Sequence, residues 1–308
     1  MAFPSAAGYG NLPNGVFTPV IYSKRVLLTL KKVAVVDEVT NTEFQGEVAN
    51  MGDTVRIIKQ PLMTVQAYTR GQVLQSQDII DEDITLVVNQ AISCQFYLDD
   101  IEVRQSHIDY MNMTADAAAY AVRDNYDTTV LAGMSSGVSS TNVMGTTTTE
   151  LNVGFGGAND YTPLDVLSHL CTLLDVQNVP DDGKRFVVAY PSFYEALRRE
   201  DSKLIESQVI SGGKEDSVII NENLWSNYRL HGFKLFKSNN TPINSTSGNP
   251  VLLAGHTMAT ATAASILKNE IVRSPNSFGD INRTLFVYGY KVLRPSALAQ
   301  AYINIVDV

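Results

Sequence analysis

The chain has 308 residues, 44% hydrophobic and 18% charged, which is enough to bury a sizeable core and excludes disordered and fibrous classes. Cys94 and Cys171 each sit in apolar sequence and predict two buried free thiols, not a disulfide framework; VLLAGHTMATATAASIL, the most apolar uncharged run, is too short and too rich in Thr and His to span a membrane. Net charge is −9, yet residues 1–36 hold Lys24, Arg25, Lys31 and Lys32 and no acid, so the remainder carries −13. A basic arm on an acidic body predicts docking on acidic surface, its own or a neighbour's; the competing reading is a solvated tail.

Residues 1–20 are rich in Gly, Pro, Asn and Ala without periodicity and read as an extended arm, without the compact apolar core of a signal peptide. A short helix is expected around 20–32, where IYSKRVLLTLKK mixes Ile21, Leu27, Leu28 and Leu30 with basic residues. Residues 44–92 read as β. A turn at Met51-Gly52-Asp53 leads into TVRIIK, PLMTVQAYTRG continues with β-branched and aromatic residues, and ITLVVNQAISCQFYL reads as one long strand. Between them, 59–83 has too few large apolar residues for a core, so this projection needs a partner surface, unless it folds back on its own domain.

A very long helix follows, expected over 99–133. Asp99 and Asp100 stand as N-caps, Gly133 stands as the C′ residue, and Ile101, Ile108, Met111, Ala115, Ala118, Val122, Tyr126 and Val130 form one apolar face. Such a rod is about 50 Å long. A Gly/Ser/Thr-rich connection then leads to YTPLDVLSHLCTLLDV, with Thr162 as cap, Pro163 in the first turn and Asp165 closing a capping box. DDGKRFVVAYPS reads as a turn, a buried strand and a stop. FYEALRREDSKLIESQ supplies one or two short helices, and HGFKLFKSNNTP a further strand. SILKNEIVRSP and TLFVYGYKVLRP are closing strands on either side of NSFGDINR.

No catalytic, cofactor-binding or metal site emerges. His107, His169, His231 and His256 lack zinc spacing, and SGGKED lacks the phosphate-loop pattern. GFGG reads as a flexible joint. Asp181 and Asp182 read as a solvated turn, and the acids at 78–83 lack calcium-loop spacing. An α+β enzyme with unseen catalytic residues stays as an alternative.

The order of parts resembles the major capsid protein of tailed double-stranded DNA bacteriophages, the Hong Kong 97-type fold. GEVANMGDTVRI looks like the lead-in to its extended loop, and the long helix like its spine. KRFVVAYPSFYEALRRED with LHGFKLFKSNNTP looks like its axial domain, and GDINRTLFVYGYKVLRPSALAQAYI like the closing strands of its peripheral domain. The resemblance implies an α+β chain with an arm at 1–40 and an extended loop at 41–94. It places a peripheral domain at 95–160 and 255–308, and an axial domain at 161–254. It further implies hexamers and pentamers closing into an icosahedral shell around packaged DNA, without enzymatic activity or cofactor. A separate scaffolding protein (or a leader missing from this sequence), a portal protein and possibly a decoration protein are expected, with assembly in the host cytoplasm. A bacterial nanocompartment shell is the nearer alternative. Lys24, Arg25, Lys31, Lys32, Lys59, Arg70, Asp78, Asp81, Glu82 and Asp83 are the candidate inter-subunit contacts, with the arm's basic residues facing a neighbour's acids at 78–83. Lys59 lies where some relatives form a lysine–asparagine cross-link, but nothing in the sequence identifies an acceptor.

Overall fold

A computed structural model describes residues 34–44, 54–60, 63–73, 76, 82–100, 110–154, 161–198, 229–275 and 278–306. The helix expected at 20–32, the turn at 51–53, His107, most of GFGG and all of SGGKED lie outside these residues, as does everything after Arg198 in FYEALRREDSKLIESQ.

The projection is a two-stranded antiparallel hairpin. β1 (Thr54–Lys59) pairs with β2 (Glu82–Val87) from Thr54 opposite Val87 to Lys59 opposite Glu82. The expected single strand through ITLVVNQAISCQFYL is in fact two. Val88 and Asn89 break it, and β3 (Gln90–Asp99) leaves to join a different sheet. PLMTVQAYTRG also differs from expectation. Its residues 63–71 are exposed and belong to no strand among the described residues, with a turn at Arg70-Gly71.

β3 pairs with β11 (Gly279–Val292), and β11 with β10 (Thr260–Arg273), giving a three-stranded antiparallel sheet with an irregularity between Ile266 and Lys268. β11 starts within NSFGDINR, so the five residues from Gly279 to Arg283 are strand, not loop. The long helix, α2 (Tyr110–Ser136), lies over β3 and β11. Asp99 is the last residue of β3 and Asp100 after it is already helical, and the helix continues past Gly133. Gly133 serves packing: a Cβ there would run into the Tyr290 ring. Tyr126, Val130, Leu131 and Met134 form the buried face of its C-terminal half, while Ala115, Ala118 and Val122 are only half-buried.

The remaining strands form one seven-stranded sheet in the order β4-β12-β9-β6-β8-β7, with β5 also on β12. They are β4 (Val143–Met144), β5 (Leu151–Val153), β6 (Arg185–Ala189), β7 (Arg229–Leu230), β8 (Phe233–Lys237), β9 (Val251–His256) and β12 (Leu298–Ile305). α3 (Pro163–Val176) and α4 (Pro191–Arg198) cover β12. The capping box forms as expected: the Thr162 hydroxyl accepts from the Asp165 N–H at 3.2 Å, and the Asp165 carboxylate accepts from the Thr162 N–H. Every residue of β6 and β9 is buried, as two-sided coverage requires. β12 hydrogen-bonds to β9, so the last strand belongs to the seven-stranded sheet and not to the sheet of β10 and β11.

Candidate assembly interface

Asp127 lies at the centre of the molecule's connections. Its carboxylate is fully buried on α2. Oδ1 accepts from the backbone N–H groups of Val35 (2.8 Å) and Val36 (2.9 Å), satisfying donors at the start of α1 (Val36–Val39). Oδ2 accepts from Asn240 Nδ2 (3.0 Å), in the turn after β8, and the same amide donates to Asp124 (2.7 Å). One side chain therefore joins the incoming arm, the long helix and the seven-stranded sheet. The segment is also sewn to the edge of β10: the Asn41 N–H donates to Thr260 O (2.8 Å) and the Thr262 N–H to Asn41 O (3.0 Å). Arg123 with Asp37 (3.0 Å) and Lys234 with Glu38 (2.9 Å) are exposed ion pairs along the same path. Tyr126 packs edge-on against Phe286 and Tyr288 beneath it, and burial pushes its hydroxyl pKa up to about 12.

The hairpin has a rooted base and a bare end. Leu86 and Val88 are buried against Ala261, Ala263 and Val287, a small core separate from the main one. Gly289 permits the root: a Cβ there would meet Val88 Cα at 2.8 Å and clash with the Val87 carbonyl. Farther out, Ile58, Met63, Val65, Tyr68 and Val73 are all exposed. A second apolar group, Tyr97, Ile271, Val272 and Phe278, is exposed at the far end of the three-stranded sheet. Beside it Arg273 pairs with Asp100 and with Asp280 (3.2 Å), which raises its pKa further, Asp100 being the stronger cause. Apolar side chains displayed in this number on a slender projection are what an interaction surface carries.

Of the residues expected at contacts, Lys59, Arg70 and Asp83 are on the hairpin and described. Asp83 pairs with Arg56 of the opposite strand at 3.6 Å, an exposed contact of little energetic weight. Glu82 opposes Lys59 in register. Lys24, Arg25, Lys31, Lys32, Asp78 and Asp81 lie outside the described residues.

Several polar centres were not legible beforehand. Asp182 is not merely a solvated turn residue. It holds buried His256 at 2.8 Å, and that hydrogen bond draws its own pKa below the usual range. His256 Nδ1 accepts from the Met258 N–H, so Nε2 carries the proton that Asp182 accepts. Arg185 is 2% exposed, pairs with Asp175 (2.7 Å), and donates to the Val179 and Pro180 carbonyls and to Cys171 Sγ. Both cysteines are free as expected but only half-buried. Glu150 gathers Asn244, Ser247 and Asn249; desolvation opposes its charge, and these three hydrogen bonds together hold its pKa low. No group of three His, Cys, Asp or Glu suited to a metal occurs among the described residues, and no described helix is long and apolar enough to cross a membrane.

The model of the phage capsid protein family matches residues 95–301. Solved structures share the fold. One, from Mycobacterium phage Che8, is 23% identical with a TM-score of 0.72, over 94% of this chain and 97% of its own. The capsid structure of the cyanophage P-SCSP1u gives 15% and 0.67 over 99% and 100%. The asymmetric unit of the bacteriophage PhiM1 mature capsid gives 12% and 0.68 over 100% and 98%. No curated protein sequence matches significantly. The chain belongs to the phage capsid protein family, with the Hong Kong 97-type fold, and is a structural protein of the virion capsid.

Proposed function

We propose that this chain is the major subunit of an icosahedral shell, assembling as hexamers and pentamers around packaged double-stranded DNA. The observation that carries the reading is the hairpin, rooted by Leu86 and Val88 yet exposing Ile58, Met63, Val65, Tyr68 and Val73, which gain a covered surface only on a neighbouring copy. The spine helix with the three-stranded sheet forms the peripheral part, and the seven-stranded sheet with α3 and α4 the axial part around the capsomer axis. Heterologous contacts of one such tile close by rotation. Lys24, Arg25, Lys31 and Lys32 of the arm meet the acids Asp78, Asp81, Glu82 and Asp83 of a neighbour, and Lys59 and Arg70 take part on the hairpin. A net charge of −9 suits a wall that releases its DNA instead of trapping it. The subunit carries no enzymatic role. A separate scaffolding protein and a portal protein complete the particle, assembled in the host cytoplasm.

Negative-stain microscopy with size analysis of the chain, alone and with a scaffolding protein, tests the reading. Closed shells, or hexamers and pentamers that become shells, are expected; a stable monomer under every condition refutes it. Reversing the four acids should impair assembly, and unchanged shells would refute the pairing.

A further inference from the structure

Two short connections link the seven-stranded sheet to the three-stranded one. The first leaves β9, makes a single 3-10 turn at Thr257–Ala259 and enters β10. The second leaves β11, passes Leu293 and Arg294, turns at Pro295–Ala297 and enters β12. They meet at the Ala259 carbonyl, which accepts from the Leu293 N–H (2.8 Å) and the Arg294 N–H (3.1 Å). His256, the last residue of β9, caps the first turn with its side chain: Nδ1 accepts from the Met258 N–H at 3.2 Å. Nε2 donates to Asp182, and the residue is 1% exposed.

The chemistry of the ring makes this cap conditional. A backbone N–H only donates, so the cap needs a bare Nδ1, and the single ring proton sits on Nε2. A second proton can enter only at Nδ1, where it would face the Met258 N–H, donor against donor. Cap and imidazolium therefore exclude one another. We propose that His256 is an acid-released latch between the two sheets: its neutral ring fastens the turn through which β9 passes into β10, and uptake of a second proton frees the Met258 N–H and loosens that connection.

The surroundings supply what such a latch needs. The Asp182 carboxylate stays beside the ring and stabilises the imidazolium once the turn has opened. It also accepts from the Lys184 N–H (3.0 Å), and the His256 hydrogen bond is the main cause of its lowered pKa. Asp182 is therefore ionised throughout the range around pH 6.5 in which an imidazole ordinarily takes its second proton. Arg185 stands opposite His256 in the pairing of β6 with β9, but its guanidinium is committed to Asp175 (2.7 Å) and to the Val179 and Pro180 carbonyls. The other charged or titratable neighbours are Lys184 in the same turn, Asp181 against Gly232, exposed His231 beside that glycine, and exposed Arg294 on the second connection. Among the described residues the ring's hydrogen bonds go to Asp182 and Met258 and to none of these.

Hydrogen–deuterium exchange of the full-length, unassembled subunit tests the latch, with rates corrected for the pH dependence of free amides. Between about pH 7.5 and about pH 5.5, on either side of the ordinary imidazole value, peptides spanning Met258 and Leu293 should lose protection. The expected factor is roughly tenfold, as the loss of one ordinary hydrogen bond gives, while a peptide from β6 keeps its protection. His256→Asn should abolish the pH dependence, because asparagine is a favoured N-cap that does not titrate. Asp182→Asn, which removes the carboxylate that stabilises the imidazolium, should move the release to lower pH. Unchanged wild-type protection at Met258, an equal loss in β6, or the same pH dependence in His256→Asn would each overturn the proposal. If His256→Asn does not fold, the Asp182→Asn profile decides, and a release at the wild-type pH overturns it. The readout is local to one subunit, so its failure is distinct from failure to form shells.

Discussion

Replacing Asp127 by Ala is the most informative perturbation of the folded subunit. The carboxylate accepts three hydrogen bonds at 2.8, 2.9 and 3.0 Å, two from backbone N–H groups and one from Asn240. Alanine orphans the Val35 and Val36 donors at about 1–3 kcal/mol each, while Asn240 keeps its bond to Asp124. Removing a buried charge returns part of that loss, because the carboxylate no longer needs to be desolvated. The expected net cost is about 3 kcal/mol, a large share of the roughly 5–15 kcal/mol that hold an ordinary domain together. Asp127→Asn is the control. Its amide oxygen can keep both backbone donors, and only the contact with Asn240 Nδ2 becomes donor against donor, so about 1 kcal/mol is expected. Urea unfolding of unassembled subunits reads both, with the midpoint moving and the slope unchanged. A change below about 0.5 kcal/mol for Asp127→Ala would refute the view that this residue ties the start of α1, the long helix and the seven-stranded sheet together.

Gly289→Ala should abolish soluble subunits, because its Cβ meets backbone atoms of Val87 and Val88 that cannot turn aside; Gly133→Ala should fold with a lowered melting temperature, since the Tyr290 ring in its way is a side chain. Arg185→Ala should cost about 2–4 kcal/mol in chemical denaturation, because the Val179 and Pro180 carbonyls just beyond α3 lose their donor, while Asp175, which is exposed, is resolvated at little cost. The pKa values of Asp182 and Glu150 are depressed in the folded chain, so their contribution is complete above the ordinary carboxylate range, near pH 4, and is lost as pH falls through the lower folded values. Melting temperature measured against pH should therefore drop on the acid side, and Asp182→Asn should flatten that limb; an unchanged limb would contradict the Asp182–His256 contact.

What the sequence determined by itself was local. The Thr162–Asp165 box, the buried run RFVVA and the TVRIIK strand were legible because capping and periodicity act within one turn or one strand. The presence of a long helix was legible too, as was the coreless character of the projection, since both follow from the spacing and scarcity of large apolar residues. Tertiary structure decided the rest. Val88 and Asn89 carry no strong break signal, and only the competing pairings with β1 and β11 divide that strand. Gly133 looks like a helix terminator until Tyr290 packs on it. β12 joins the seven-stranded sheet through β9, which lies more than forty residues earlier, a pairing that no local pattern encodes. Asp127, Arg185 and the Asp182–His256 pair were invisible for the same reason: a polar residue declares itself only when folding removes its water and supplies partners from distant segments.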